Sequence, residues 1–102
     1  MAGDVFHEAG GQVFVWNEEK ARRNLAKHGV SFKEAAEAFL DPLAAIKPDP
    51  RHSEAEDRRV LVGETGRGRL VVIVHVERGG WLRLISARKA NQAERKSYEE
   101  DS

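Results

Sequence analysis

The sequence contains no cysteine, which excludes a disulfide framework and any thiolate metal site. It also lacks a surplus of either charge, with 17 basic residues against 17 acidic ones. Phosphate binding runs on an excess of Lys and Arg, so a net charge of zero argues against a simple nucleic-acid coat protein. No apolar run approaches the ~20 residues of a membrane span, and no secretory signal pattern opens the chain. A cytoplasmic protein without membrane contact is the default expectation.

What is present is a highly charged globular composition, 40% apolar and 33% charged over 102 residues. A chain this size buries roughly 60–70% of its unfolded surface, enough for one modest core. The charges are segregated. Residues 1–57 carry seven Lys/Arg and eleven Asp/Glu, and residues 90–102 two against four. Residues 58–89 carry eight basic residues, seven of them Arg, against only Glu64 and Glu77. Arginine offers a planar fork of donors that suits phosphate, so this enrichment is informative.

Residues 1–12, with Gly3, Gly10 and Gly11, read as a flexible N-terminal leader, and residues 13–100 as a single domain. Val13–Trp16 is a short strand. Asn17 then caps a helix that Glu18 and Glu19 favour and that Gly29 stops after His28. Its apolar stripe is thin, Ala21 and Leu25. Ser31 and Glu34 have capping-box spacing, and Phe32, Ala35, Ala36, Phe39 and Leu40 make one apolar face of a second helix, ended by Asp41-Pro42. A short strand over Leu43–Lys47 and a polar loop over Asp49–Asp57 follow. Strands are predicted near Arg58–Thr65, Arg69–Glu77 and Trp81–Ala87, joined by Gly66-Arg67-Gly68 and Arg78-Gly79-Gly80. A last helix runs from Asn91, with Glu94 completing a second capping box, to about Glu100. The order predicts an α+β fold: an antiparallel sheet with two N-terminal helices and one C-terminal helix.

If both hairpin loops have three residues, Glu77 faces Trp81 and the register follows. One face then shows Val60, Val62, Leu70, Val72, Val74, Val76, Leu82 and Leu84, an apolar surface for the two N-terminal helices. The other carries Leu61, Val71, Ile73 and Ile85, with Arg59, His75 and Arg83 in a row across three strands. Two guanidiniums flanking an imidazole attract an anion. The plain alternative is a sheet rim whose charges pair with Glu56, Glu77 or Glu94. A two-residue loop in either hairpin dissolves the row.

These residues resemble a known family. The segment FVWNEEKARRNLAKHGVSFKEAAEAF, Phe14 to Phe39, is similar to the opening signature of the BrnT toxins. Asp41-Pro42-Leu43, the stretch Pro48–Glu56 and Arg58 continue it, and RLISARKANQAERKSYEE, Arg83 to Glu100, is similar to the closing signature. The blocks follow in order over residues 14–100. Two departures are visible: Asn17 stands where the family usually has Asp, and Val15 where it often has Glu. The resemblance implies a RelE-like fold, RNA cleavage that inhibits translation, and neutralisation by a BrnA-like ribbon-helix-helix antitoxin, with operator DNA bound only through that antitoxin.

Metal-independent RNA cleavage uses the ribose 2′-OH as nucleophile, with a base, cations for the phosphorane and an acid for the leaving oxygen. Arg83 and Arg88 are the candidate phosphate stabilisers, and His75 the candidate general acid or base. Tyr98 is a candidate base stacker or proton donor. Arg58 or Arg59 would position the backbone, with Lys27 and His28 reaching the same groove. Each has a structural alternative: the helix dipole favours His28 where it stands, Arg88 can brace Glu94, and Tyr98 can be a packing residue. Trp16 and Trp81 read as core or partner contacts rather than base platforms. His52, Glu54, Glu56 and Asp57 share a loop without metal-ligand spacing, so no metal or other cofactor is expected. The competing functions are a non-catalytic nucleic-acid-binding module and a module that only holds an antitoxin.

Overall fold

The computed structural model describes residues 3–49 and 57–101. The loop positions Pro50, His52, Ser53, Glu54 and Glu56 therefore lie outside the described residues. The elements run β1 (Asp4–Ala9), β2 (Gln12–Asn17), α1 (Glu18–His28), α2 (Phe32–Glu37), a 3-10 turn (Ala38–Leu40), β3 (Ala45–Pro48), β4 (Arg58–Glu64), β5 (Leu70–Arg78), β6 (Trp81–Lys89) and α3 (Gln92–Asp101). Six strands form one sheet in the order β1-β2-β6-β5-β4-β3. Every neighbouring pair is antiparallel except β2 and β6, which run parallel over Val13–Val15 and Trp81–Arg83. The sheet is thus mixed rather than wholly antiparallel.

The expected leader contains a paired strand. Gly10 and Gly11 take φ of 59° and 78°, and Ala9 pairs with Gln12. Two consecutive positive-φ residues make the two-residue loop whose twist matches a hairpin, and glycine adopts that backbone without a Cβ penalty. β1 is the outer partner of β2 for that reason.

The helix ends follow their caps. Asn17 Oδ1 accepts the Lys20 N–H at 3.0 Å, and Gly29, at φ 71°, closes α1 by donating to the Leu25 carbonyl. Asn91 and Glu94 cap α3 reciprocally, at 2.8 and 2.9 Å. The Ser31 cap is only half of the expected box. Ser31 Oγ accepts the Glu34 N–H, but the Glu34 carboxylate turns to Arg69 and Thr65. Arg69 also donates to the Gly29 carbonyl, so the β4–β5 turn is tied to the junction of α1 and α2.

The core lies between α1, α2 and one sheet face. Phe14, Trp16, Leu61, Val71, Ile73, Leu84 and Ala87 meet Val30, Phe32, Ala35, Ala36 and Ala38 there. Of the face expected under these helices, only the β6 members Leu82 and Leu84 lie on it; the β4 and β5 residues beneath it are the odd-numbered set. α1 docks through a polar group rather than through Leu25, which is half exposed. Asn24, 8% exposed, donates to the Ala87 carbonyl at 2.8 Å and accepts the Ala87 N–H at 3.1 Å. β2 leaves β6 after Arg83, and the Asn24 amide, with the donor and acceptor of a peptide group, continues the ladder at the uncovered edge.

Candidate active site

Two local features decide which charges share a face. The β5–β6 loop has two residues, Gly79 and Gly80, at φ 60° and 86°, so Arg78 pairs with Trp81. A bulge then falls between Val74 and His75: His75 pairs with Leu84 but Val74 with Ser86, leaving Ile85 as the extra residue. The β4–β5 loop keeps its three residues, with Thr65 N–H bonded to the Arg69 carbonyl.

The expected row of Arg59, His75 and Arg83 is therefore corrected. Arg59 does pair with His75, but Arg83 pairs with Val76. A shift of one residue sends a side chain to the opposite face. The row that forms is Arg58, Val76 and Arg83, on the face away from α1 and α2. Arg88, opposite Val72, shares that face, and Ser86 stands between it and Arg83.

His75 is not brought to this surface. It is 3% exposed, packed edge-to-face on Phe39 at 4.9 Å, with Nδ1 3.4 Å from the Ile73 carbonyl oxygen. Burial, with Arg59 adding a smaller push, holds its pKa below the ordinary value for imidazole. Arg59, on the His75 face, forms an ion pair with Asp57 at 3.0 Å.

The two arginines of the open face each hold a carboxylate in a two-pronged pair. Arg83 donates to Asp4 of β1 at 2.8 and 3.3 Å, and Arg88 to Glu94 of α3 at 2.7 and 2.8 Å. The pairs hold both carboxyls below their usual range and raise both guanidinium pKa values. Their side chains remain 30% and 42% exposed. A guanidinium fork that accommodates a carboxylate accommodates two phosphate oxygens in the same way.

Tyr98 acts on α3. Its hydroxyl donates to Asp41 at 2.6 Å, and Asp41 also accepts the Leu43 and Glu64 N–H groups at 2.9 and 2.8 Å. Facing that carboxylate pushes the phenol up to about 12. The same carboxylate therefore anchors α3 to the end of β4, over Ala45 and Val62.

Beside Ser86, α1 presents a basic stripe. Lys20, Arg23, Asn24, Lys27 and His28 follow the spacing of one helix face and line an open groove of about 380 Å³ with Ile85 and Ser86. No carboxylate lines it. The structure thus joins Lys27 and His28 to the strand that carries Arg83 and Arg88. Asp4, Asn24, Asp41 and Ser86 were missed in the sequence; the Gly10-Gly11 pair was the one local signal for a strand that carries Asp4. Among the described residues no group of three His, Asp or Glu side chains has metal-holding geometry, and no helix is long and apolar enough to cross a membrane.

Comparison with known proteins bears on the family and the fold. The family model described as the ribonuclease toxin BrnT of type II toxin–antitoxin systems matches residues 16–94. The crystal structure of the Brucella abortus ribonuclease toxin BrnT superposes with a TM-score of 0.61 at 33% identity, covering 76% of this chain and 94% of that one. No curated protein matches the sequence. A family match over most of the chain, with the same fold beneath it, establishes that this protein belongs to the BrnT family of ribonuclease toxins of type II toxin–antitoxin systems.

Proposed function

We propose that this BrnT protein cleaves RNA without a metal, by attack of the ribose 2′-OH on the adjacent phosphate, and so inhibits translation. The observation that carries this reading is the grouping of Arg58, Arg83 and Arg88 on one open sheet face, with the acid-free groove of α1 alongside. Phosphorane formation adds negative charge, and pre-placed guanidiniums stabilise it more than the ground state. Arg83 and Arg88 take that role, exchanging Asp4 and Glu94 for phosphate oxygens. Arg58 positions the neighbouring backbone, and Lys27 carries the strand along α1. His28 is the imidazole that opens on the groove, so the proton-transfer role passes to it from the buried His75. Tyr98 serves by placing α3.

A BrnA-like ribbon-helix-helix antitoxin neutralises the toxin, and operator DNA is bound through that antitoxin alone, on a fold of the RelE type. The test is incubation of antitoxin-free protein with naked RNA in EDTA, beside Arg83→Ala. The expected result is cleavage leaving 2′,3′-cyclic phosphate ends, lowered at least ~100-fold in the variant, the scale of losing one transition-state donor. Cleavage that EDTA abolishes, or that Arg83→Ala leaves intact, overturns the mechanism. Binding without cleavage favours a non-catalytic module.

A further inference from the structure

Seven aromatic residues occur in the chain. Phe14, Trp16 and Phe32 are buried, and Phe39 and Tyr98 are half-buried. Phe6 and Trp81 are different: they remain 54% and 48% exposed. They contact each other edge-to-face, with centroids 5.0 Å apart at 78°. The register places them on the open sheet face. Phe6 pairs with Val15, Val15 pairs with Arg83, and Trp81 pairs with Val13. Trp81 thus stands two residues from Arg83 on the same side of β6, about 7 Å along the strand.

We propose that Phe6 and Trp81 form a nucleobase subsite, which stacks an unpaired base of single-stranded RNA next to the phosphate held by Arg83. The ligand class rests on the ribonuclease reading above. Two rings at right angles make a corner in which a base stacks on one ring and meets the edge of the other. Aromatic platforms beside cations are the usual means of holding single-stranded nucleic acid, since every base has a π face. The neighbouring guanidinium forks, which hold Asp4 and Glu94 in two-pronged pairs that phosphate oxygens can replace, point to RNA rather than to an apolar protein partner. Arg58, Arg83 and Arg88 share the surface, and a strand with its phosphate on Arg83 brings the adjacent base over Trp81. β1 supplies Phe6 and lies outside residues 16–94, the part matched by the family model. Trp81 and Arg83 lie within that part, so the subsite joins a ring from outside the matched segment to two residues inside it.

The test reads binding separately from cleavage. A fluorescein-labelled, adenosine-rich single strand with 2′-O-methyl riboses lacks the nucleophile and stays intact; its fluorescence anisotropy reports affinity. Trp81→Ala is expected to weaken binding about ten-fold, in the range of one lost stacking contact. Trp81→Phe should retain most of the affinity, and Phe6→Ala should lose part of it. An oligonucleotide with abasic sites should bind the wild type weakly, with no further loss in Trp81→Ala. Unfolding midpoints in urea establish that the variants are folded. Equal affinity of wild type and Trp81→Ala overturns the subsite, as does an equal loss on the abasic strand. Loss of antitoxin binding with RNA binding intact assigns the surface to the protein partner instead. Base-dependent binding by a protein that cleaves no RNA keeps the subsite and removes the ribonuclease mechanism. Cleavage with Trp81-independent binding does the reverse.

Discussion

Asp4 and Arg83, 79 residues apart in the chain, meet across the sheet in a two-pronged ion pair at 2.8 and 3.3 Å. The contact exists because the Gly10-Gly11 turn folds β1 back on β2 and β2 lies parallel to β6. It places a carboxylate where the proposed mechanism needs a phosphate. Asp4→Asn is expected to raise RNA affinity and cleavage several-fold at low salt, with the gain shrinking as salt screens the pair. Initial rates at two ionic strengths check this; a lower rate in Asp4→Asn would mean that the carboxylate orients Arg83 instead of competing for it.

Lys27→Ala tests the α1 groove. A backbone contact is indifferent to sequence, so affinity should fall equally for different RNA strands. The slope of log K against log salt should shrink by about 0.7, the contribution of one phosphate contact on a single strand. An unchanged slope would place the strand elsewhere.

Tyr98→Phe separates anchoring from catalysis. It removes one hydrogen bond to a charged acceptor, and stability should fall by about 1.5–3 kcal/mol while cleavage persists. Asp41→Ala should cost more, because the Leu43 and Glu64 N–H groups lose their acceptor as well. Urea unfolding with a parallel cleavage assay decides. A loss of cleavage at unchanged stability restores Tyr98 as a proton donor.

His75 makes stability depend on pH. Its native pKa lies below the ordinary 6.5 because burial disfavours the charged ring. Between that native value and 6.5 the unfolded chain binds a proton that the native state does not, so unfolding free energy falls as pH drops below about 6.5. The stabilising contribution is fully present above 6.5 and is lost as pH falls through the native pKa. Urea midpoints from pH 7.5 to 5.5 should show the decline, and His75→Leu should flatten it; an equal slope in both proteins assigns the effect to other groups.

Asn24→Ala leaves the buried Ala87 N–H and two carbonyls, Ala87 and Val30, without the amide that serves them. A loss of about 1–3 kcal/mol in urea unfolding is expected. Asn24→Asp should be worse near neutral pH, because it turns a carboxylate oxygen toward both carbonyls.

Much of this protein was legible locally. The caps at Asn17, Ser31, Gly29 and Asn91 are short-range hydrogen bonds, so residue type and spacing were enough to locate the helices. The signature blocks at both ends of the chain carried the family. The glycines that give residues 1–12 the composition of a leader include the Gly10-Gly11 pair that turns β1 back on β2, since glycine serves both a loose segment and a tight positive-φ turn.

By itself, then, the sequence determined the element order from β2 onward, the helix caps, the α+β class and the arginine-rich segment, because each depends on neighbours within a few residues. Only the tertiary structure decided which arginines act together. A loop one residue shorter than expected moved Arg83 from the side of His75 to the side of Arg58, and the bulge at Ile85 put Arg88 on that same side. Strand side chains alternate with a period of two, so a single residue of register exchanges the two faces of the sheet. The packing of α1 and α2 then settled which face carries the core, enclosing His75 beneath Phe39 and leaving Arg83 and Arg88 partly exposed on the other.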